Sequence, residues 1–333
     1  MAGRAGGIAG RKPARAGRCA NGEVMNEYAA LILGIVFAAM GGEFFVRGTV
    51  GLASLARISP GIVGATVAAF ATSSPELSVS ISSALAKKPQ IALGDALGSN
   101  VVNVALILGL ALVISGIQSP RDSLKRDLPV ALFIPVVTGV LFLDGVLSRV
   151  DGMLMLGMFV AWIVATVFEV RRQRSSADEV LGEHSKWLIF TFCVAGLALL
   201  VAAGNLIVLG AREIAVSLGV SEFIIGATVV SIGTSVPELA TTIIAKVRGH
   251  DEVGLGTILG SNILNGSFVV AIAAVIHPIV VPLRLVGATL IFGLLAVIFV
   301  FPPRNGFIER RRGVLLLVLY VGYVVTVLQG GAP

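Results

Sequence analysis

Long apolar runs separated by short polar links dominate the chain. A membrane-spanning α-helix needs about 20 mainly apolar residues, and the runs have the length of such helices. The pattern therefore predicts an all-α membrane protein with ten transmembrane helices, which we number as spans 1 to 10. The runs occupy residues 27–55, 61–86, 91–116, 128–147, 152–170, 186–211, 222–247, 253–276, 279–301 and 313–329.

The sequence also repeats itself at a constant offset of 162 residues. The motif Thr-Ser-x-Pro-Glu begins at Thr72 and again at Thr234, and Leu-Gly-Ser-Asn begins at Leu97 and again at Leu259. This offset aligns the sequence of span 2 with that of span 7 and the sequence of span 3 with that of span 8. Each half of the chain therefore holds five spans. Because five is an odd number, the second half enters the membrane from the opposite side, which predicts two inverted-topology repeats.

The repeat divides the chain into four predicted segments. They are a polar, basic and disordered N-terminal tail at 1–25, a first five-helix repeat at 26–170 with its motif at 61–116, a central hydrophilic loop at 171–185, and a second five-helix repeat at 186–333 with its motif at 222–276.

The amino-acid composition supports a membrane protein and gives no sign of a nucleic-acid partner or a cofactor. Only 13% of the residues are charged, against about 25% in a typical soluble domain. The net charge of +6 calls for no nucleic-acid partner, because basic residues in membrane proteins mostly set orientation. The two cysteines and three histidines form no disulfide framework or metal motif. No cofactor and no obligate protein partner are evident, and the bilayer is the expected surrounding.

The positive-inside rule predicts that both termini lie outside. This orientation places most basic link residues in the cytoplasm, although the basic N-terminal tail argues against it. The cytoplasmic set is Arg57, Arg121, Lys125, Arg126, Arg171, Arg172, Arg174, Lys246, Arg248, Arg304, Arg310, Arg311 and Arg312, and the outer set is Lys87, Lys88, Arg149, Arg212 and Arg284.

Glu76 and Glu238 are the candidate functional acids, since both lie well inside apolar spans. A charge at mid-membrane costs at least about 2.5–3.5 kcal/mol and usually marks a functional site. A single intramembrane Glu can also be a protonated or snorkelling residue. That alternative is weakened here because the same acid recurs at the repeat-related position, and inverted repeats bring such positions together near the midplane.

A proline precedes each of these acids, at Pro75 and Pro237. Proline inside a helix removes one backbone hydrogen bond and displaces the carbonyl four residues earlier. In lipid such breaks are tolerated where they line a cavity. The freed carbonyls of Ala71 and Gly233 are therefore candidate cation ligands, and a plain packing kink is the alternative.

Each repeat adds neutral oxygen donors to its acid. Thr72 shares a helix face with Glu76, and Ser99 shares one with Asn103. In the second copy, Thr234 shares a face with Glu238, and Ser261 shares one with Asn265. Oxygen-only ligands suit Ca²⁺ and also Na⁺, whereas transition metals usually require His or Cys.

Three further features receive other predictions. Glu43 and Arg47, four residues apart, are expected to pair with each other. Asp95, whose repeat mate is Thr257, is expected near the start of span 3, where it could line an entrance. The glycines of spans 3 and 8 are expected to allow close helix packing; they are Gly94, Gly98, Gly256 and Gly260.

The duplicated Gly-Ala-Thr-Val, Thr-Ser-x-Pro-Glu and Gly-Ser-Asn motifs resemble the signature repeats of the sodium/calcium exchanger family, within the calcium/cation antiporter superfamily. The short central loop resembles its compact prokaryotic members, which implies the cytoplasmic membrane of a prokaryote. The resemblance also implies a cluster of four ion sites between spans 2, 3, 7 and 8, with spans 1 and 6 long, tilted and sliding against that core. The transported ions would be Ca²⁺ and Na⁺.

The resemblance also implies a ligand set. Glu76 and Glu238 would be central, and backbone carbonyls of Ala69 and Ser231 would contribute. The remaining ligands would be Thr72, Ser73, Thr234, Ser235, Ser99, Asn103, Ser261 and Asn265. Two positions depart from the usual pattern and bear on the ion stoichiometry: Phe70-Ala71 precedes Thr72 where Ile232-Gly233 precedes Thr234, and Asn265 stands where some members carry Asp.

The first functional interpretation is Na⁺/Ca²⁺ antiport, expected to be electrogenic with more than two Na⁺ per Ca²⁺. A Ca²⁺/H⁺ antiporter stays open, because a buried Glu can exchange a cation for a proton. A passive cation channel is less consistent with broken helices at a repeat interface. An enzyme is not indicated, since the sequence offers no Ser/His, Asp/Asp or His/Glu constellation.

Overall fold

The computed structural model describes residues 20–56, 59–119, 121–174, 185–217, 221–303 and 305–330. Helices make up most of this part of the chain, and the helices of spans 2 and 7 are broken into halves labelled a and b. The helices are α1 Ala20–Ala56, α2a Pro60–Thr72, α2b Ser74–Leu85, α3 Pro89–Ile114, α4 Arg121–Leu141, α5 Arg149–Arg174, α6 Lys186–Ser217, α7a Phe223–Thr234, α7b Val236–Val247, α8 Asp251–Ile276, α9 Leu283–Val300 and α10 Arg310–Gly330.

The described helices include six that are individually long and apolar enough to cross a membrane, namely α3, α5, α6, α8, α9 and α10. Counting each broken pair as one span raises that number to as many as eight. The chain is therefore a helical protein with several apolar spans. The α4 helix falls outside this count, and it contains Pro129, Pro135 and a charged first turn.

Both broken helices bend at the serine of the Thr-Ser-x-Pro-Glu motif. Ser73 separates α2a from α2b at an angle of 41°, and Ser235 separates α7a from α7b at 43°. Each serine leaves helical geometry, with φ −84° and ψ 10° at Ser73 and φ −81° and ψ 7° at Ser235. The following proline stands in the first turn of the new helix, where its missing N–H is tolerated. The prolines thus fix where the helices restart.

Short π-helical segments interrupt four of the helices. They lie at Gly64–Ala68 in α2a, Val102–Leu108 in α3, Gly226–Val230 in α7a and Leu264–Val269 in α8. Their first residues form two pairs related by the 162-residue offset, Gly64 with Gly226 and Val102 with Leu264. Such π-bulges often occur at functional sites, and residue spacing gave no indication of them.

The α3 and α8 helices form the enclosed centre, and glycines set how closely they pack. A Cβ atom on Gly98 of α3 would lie 2.6 Å from the carbonyl oxygen of Ala227 in α7a. A Cβ on Gly260 of α8 would meet the carbonyl of Ala65 in α2a even more closely. Gly94 and Gly256 make equivalent close approaches, so the predicted packing role of these glycines is confirmed. Each half of the chain thereby packs against the other.

The outer surface of the protein carries many large apolar side chains. Large apolar side chains such as Phe168, Trp187 and Val318 are 65%, 78% and 65% exposed, as expected where lipid rather than water surrounds the protein.

Two small strand pairs join the links between helices. The strands are β1 Ile117–Gln118, β2 Val146–Leu147, β3 Ile279–Val280 and β4 Phe307–Ile308. β1 pairs with β4 and β2 pairs with β3, both antiparallel.

Two predicted segment boundaries differ from the structure. The α1 backbone is helical from Ala20, so the last residues of the predicted disordered tail at 1–25 are helix, and residues 1–19 lie outside the described part. α5 continues to Arg174, which shortens the predicted loop at 171–185; residues 175–184 of that loop also lie outside the described part. An apolar run marks the part of a helix inside the membrane, and a helix can extend beyond it into polar sequence.

Candidate ion-binding site

Glu76 and Glu238 stand at the start of the two helices that follow the breaks. Both side chains are fully buried, and each lies in the first turn of its helix, α2b or α7b. The amino end of a helix carries a partial positive charge, which favours a negative group there. The break and the following proline therefore place each acid beside an interrupted backbone in the middle of the protein.

Hydroxyl groups from both halves of the chain contact Glu238. Ser73 of the first break and Ser261 of α8 each donate a hydrogen bond to Glu238 Oε1 at 3.0 Å. The other oxygen, Oε2, has no hydrogen-bond partner within the described residues. Glu238 is thus held in place through one oxygen, and the second oxygen remains able to bind a ligand.

Glu76 is more exceptional, since neither of its carboxylate oxygens has a hydrogen-bond partner among the described residues. Buried polar groups nearly always have partners, and an unpaired buried charge is strongly destabilising. A bound cation would satisfy both oxygens and offset the charge. Among the candidate residues, Glu76 gives the most direct indication of an ion site.

Asp95 belongs to this same region, which corrects its predicted position at an entrance. The side chain is fully buried, and its Oδ1 accepts a hydrogen bond from the Thr234 hydroxyl at 2.9 Å. Its Oδ2 has no partner in the described part of the chain. The sequence interpretation named Asp95 but left it out of the ligand set, because the residue related by the repeat, Thr257, is not acidic. Its position one turn before Ser99 on the same helix face was the available signal.

Thr234, Ser99 and the carbonyl of Ser231 form a line of oxygen atoms next to Asp95. The Ser99 and Thr234 hydroxyl oxygens are 3.4 Å apart, and the Ser99 hydroxyl lies 3.5 Å from the Ser231 carbonyl oxygen. In the other half, the Thr72 hydroxyl lies 3.4 Å from the carbonyl oxygen of Ala69. Both predicted carbonyls also accept backbone N–H groups, from Ser235 and Ser73 respectively. They are therefore shared acceptors and not fully freed ones.

The asparagines of α3 and α8 meet one another across the two halves. Asn103 donates to the side-chain oxygen of Asn262 at 3.1 Å, which leaves the Asn103 oxygen without a partner. Asn265, its repeat mate, has no partner for either polar atom within the described residues. Both side chains are fully buried, so their amide oxygens are potential ligands. Ser235 is also buried and its hydroxyl is likewise unpaired.

Three carboxyl side chains thus share one buried region. Glu76 interacts electrostatically with both Glu238 and Asp95, and Asp95 also interacts with Glu238. Within the described chain, however, no group of three or more His, Cys, Asp or Glu side chains converges as a metal cluster. The acids are therefore spread through a region of hydroxyl, amide and carbonyl oxygens. Such an arrangement suits several hard cations held at separate positions.

The predicted ion pair between Glu43 and Arg47 is confirmed, and a second arginine, Arg248, contacts the same carboxylate. Arg47 contacts Glu43 at 2.6 Å, and Arg248 from the end of α7b approaches the same carboxylate at 2.5 Å. All three side chains are partly or largely exposed. This group joins α1 to the link after α7b and lies apart from the buried acids.

The family model described as "Sodium/calcium exchanger protein" matches residues 27–168 and 187–329, which is most of the chain. The chain belongs to the sodium/calcium exchanger family. The resemblance inferred from the duplicated motifs is thereby confirmed, and the family is one of transporters.

Individual relatives agree with this membership. The chain is 35% identical over 259 residues to inner membrane protein YrbG of Escherichia coli K12, covering 75% of this chain and 80% of that protein. It is 29% identical over 342 residues to sodium/calcium exchanger MaX1 of Methanosarcina acetivorans, covering 89% and 96%. A solved structure of the sodium-calcium exchanger NCX_Mj matches with a TM-score of 0.77 and 27% identity, covering 91% of this chain and 98% of that one.

Proposed function

We propose that this protein exchanges Na⁺ for Ca²⁺ across the membrane by alternating access, with the ions bound between α2, α3, α7 and α8. The observation that carries the proposal is Glu76, whose buried carboxylate has no hydrogen-bond partner among the described residues. A dication beside Glu76 and Glu238 would be balanced by two negative charges. Family membership favours the same ions.

The proposed ligands are the residues that the duplicated motif brings to the broken helices. Glu76 and Glu238 would bind Ca²⁺ through their unpaired oxygens. Hydroxyl and amide oxygens would complete the coordination, because a hydroxyl that donates one hydrogen bond keeps lone pairs for a cation. These residues are Thr72, Ser73, Thr234, Ser235, Ser99, Asn103, Ser261 and Asn265, with backbone carbonyls from Ala69 and Ser231.

The proposed architecture is ten spans in two inverted repeats of five. Contacts at repeat-related positions support it: the approach of Gly98 to Ala227 corresponds, with the two halves exchanged, to the approach of Gly260 to Ala65. The two bends of 41° and 43° support it as well. The strand pairs fit the same plan, since each pair joins links that ten alternating spans would place on one side of the membrane.

The proposed orientation has both termini outside, in the cytoplasmic membrane of a prokaryote. It puts β1 and β4 on the cytoplasmic side with most of the basic links. Contacts near the helix ends join elements on this same side: the Lys246 ammonium group donates to the carbonyl of Gly116 at 2.7 Å, and Arg310 donates to the carbonyl of Val113 at 2.8 Å. The contacts support the shared side, and the basic residues assign that side to the cytoplasm.

The α1 and α6 helices form the part expected to move during transport. They are 37 and 32 residues long and lie side by side with glycines in their interface. A Cβ atom on Gly196 of α6 would lie 2.5 Å from the backbone nitrogen of Phe45 in α1. The Phe44 and Phe192 rings stack with centroids 5.6 Å apart. Because the two helices are in such close contact, we expect them to move as one body against α2 and α7 during transport.

Flux measurements in reconstituted vesicles test the proposal. Ca²⁺ uptake is expected when an outward Na⁺ gradient is imposed and is expected to stop when Na⁺ is equal on both sides. Uptake driven by a pH gradient without Na⁺ would instead identify a Ca²⁺/H⁺ antiporter. Ca²⁺ entry that follows only its own gradient would identify a passive channel.

A further inference from the structure

One buried face of α7b runs from Glu238 to the end of the helix. Glu238, Thr242 and Lys246 are spaced four residues apart and therefore follow one another along this face, and all three are buried. Thr241 lies beside them and is also buried. The helix ends at Val247, next to the link that the proposed orientation places in the cytoplasm. This face therefore leads from the proposed ion site to the cytoplasmic surface.

The hydroxyl groups on this face are not used by the helix backbone. Those of Thr241 and Thr242 have no hydrogen-bond partner within the described chain. Other buried threonines in helices, such as Thr138 and Thr228, donate to the carbonyl four residues earlier. A polar group without a partner is costly in the membrane interior, so water or a passing cation is the expected partner of both hydroxyls. The face thus has the lining of a polar path.

A lysine ammonium group stands at the cytoplasmic end of this path. Lys246 Nζ lies 3.0 and 2.9 Å from the two carboxylate oxygens of Asp251, the first residue of α8. It also donates to the carbonyl of Gly116 at 2.7 Å. The side chain of Lys246 is only 4% exposed, whereas that of Asp251 is 24% exposed. Asp251 therefore holds a cation that is tethered to the chain, at a point that solvent can reach.

Asp251 also lines a polar cavity on the proposed cytoplasmic surface. The cavity has a volume of about 440 Å³ and lies among the links that precede α2a, α4 and α8. Glu252 and Ser119 line it as well. Ser119 is buried, and its hydroxyl has no partner within the described residues. Two carboxylates and an unused hydroxyl are oxygen ligands of the kind that Ca²⁺ and Na⁺ prefer.

We propose that Asp251 is the entry site for cations on the cytoplasmic side and that the ammonium group of Lys246 occupies it while the path is closed. This inference rests on the proposed exchange of Na⁺ for Ca²⁺. An arriving cation takes the place of the ammonium group on the Asp251 carboxylate, and the displaced lysine opens the face that leads through Thr242 to Glu238. The ammonium group and the incoming cation therefore compete for one carboxylate.

The corresponding end of α2b lacks both of these charges. The repeat mates of Lys246 and Asp251 are Ala84 and Pro89. The inner part of the path is repeated, because Ser80 of α2b corresponds to Thr242, is buried and has an unpaired hydroxyl within the described chain. The lysine is therefore expected to affect cation access from one face of the membrane only.

Initial rates of Ca²⁺ uptake into Na⁺-loaded membrane vesicles of each orientation measure the KM for Ca²⁺ on each face. Labelling of a single cysteine at position 248 identifies the face that carries the entry site. On that face, Lys246→Met is expected to lower the KM for Ca²⁺ by up to about fivefold, the size typical of one partly exposed ion pair. Asp251→Asn is expected to raise it by a similar factor. The KM on the opposite face should stay unchanged in both variants.

Opposite changes from the two partners distinguish an entry site from a structural ion pair. A pair that only joins α7b to α8 would change the KM in the same direction whichever partner is removed. Lys246→Arg keeps the charge and should retain the KM of the unaltered protein. Arg248→Met is the matched control, because it removes a charge from the same link while its side chain contacts Glu43 outside the path. If Lys246→Met does not purify as a single species, Lys246→Gln, which keeps a hydrogen-bond donor, serves in its place.

The outcomes also separate this inference from the proposed function. If the unaltered protein exchanges Na⁺ for Ca²⁺ while Lys246→Met leaves the KM unchanged or raises it, the entry site is overturned and exchange stands. Equal changes of the KM on both faces would overturn it as well. If the unaltered protein shows no Na⁺-dependent Ca²⁺ uptake, the proposed exchange is refuted, and the entry site that rests on it is refuted too.

Discussion

Asn100 and Asn262 exchange reciprocal hydrogen bonds at the centre of the molecule. The side-chain amide of Asn100 donates to the carbonyl of Asn262 at 3.1 Å, and that of Asn262 donates to the carbonyl of Asn100 at the same distance. These two residues are repeat mates. A residue can bind its own repeat mate in this reciprocal way only near a twofold relationship between the halves, so this contact supports the proposed inverted repeat more directly than any other.

Replacing either asparagine by alanine is expected to destabilise the protein, with the larger effect at Asn262. Asn100→Ala leaves the carbonyl of Asn262 without this donor, at a cost of about 1–3 kcal/mol. Asn262→Ala removes the equivalent bond and also the acceptor that Asn103 uses. Thermal unfolding in detergent measures both effects. Equal melting temperatures for Asn262→Ala and the unaltered protein would contradict the contact.

Glu76→Gln and Glu238→Gln are each expected to lower Ca²⁺ affinity by two orders of magnitude or more. The reason is that removing one partner of a buried ion pair costs about 3–5 kcal/mol. Folding should be preserved, since Gln has nearly the same size as Glu. Ca²⁺ binding to the purified variants measures the effect. Glu43→Gln is the control: its carboxylate pairs with exposed arginines outside the site. Wild-type affinity in either central variant would mean that the site is misplaced.

Glycine substitutions test the close packing of the two halves. Gly98→Ala places a Cβ atom 2.6 Å from a backbone oxygen of α7a, and this oxygen cannot easily move. The cost of such overpacking is about 1–3 kcal/mol. Gly157→Ala and Gly287→Ala are matched controls, because a Cβ there meets no atom within 4 Å. In these controls alanine should be neutral or stabilising, by up to about 1 kcal/mol. Thermal unfolding distinguishes the two groups.

The sequence predicted the elements that depend on repetition and failed where the two halves differ. The broken helices, the buried pair of Glu76 and Glu238 and the glycine packing all follow from motifs that occur twice. Asp95 was misplaced because only one copy carries an acid at that position. The π-helical segments were missed for another reason: the spacing of apolar and polar residues carries no signal for them. The contact of Arg248 with Glu43 joins distant segments, and span assignment alone does not bring these together.

The proposed inverted topology predicts which link residues share a side of the membrane. Single cysteines at Lys88 and Arg284 are expected to react with a membrane-impermeant reagent from one side, and those at Arg248 and Arg311 from the other. All four positions are exposed. The two cysteines of the sequence are first replaced by serine. Labelling of positions 88 and 248 from the same side would rule out the inverted arrangement, since these links follow repeat-related spans.

Exchange is expected to be electrogenic, with about three Na⁺ moved for each Ca²⁺. Glu76 and Glu238 are the two acids of the proposed ligand set, so the empty site carries two negative charges. One Ca²⁺ would then leave it neutral, whereas three Na⁺ would leave one positive charge. The two loaded states therefore differ by one charge, and moving that charge across the membrane responds to voltage by up to about 2.3 kcal/mol per 100 mV. Na⁺-driven Ca²⁺ flux in vesicles with a K⁺/valinomycin potential measures this response. Flux that is indifferent to the potential in the unaltered protein would show two Na⁺ per Ca²⁺.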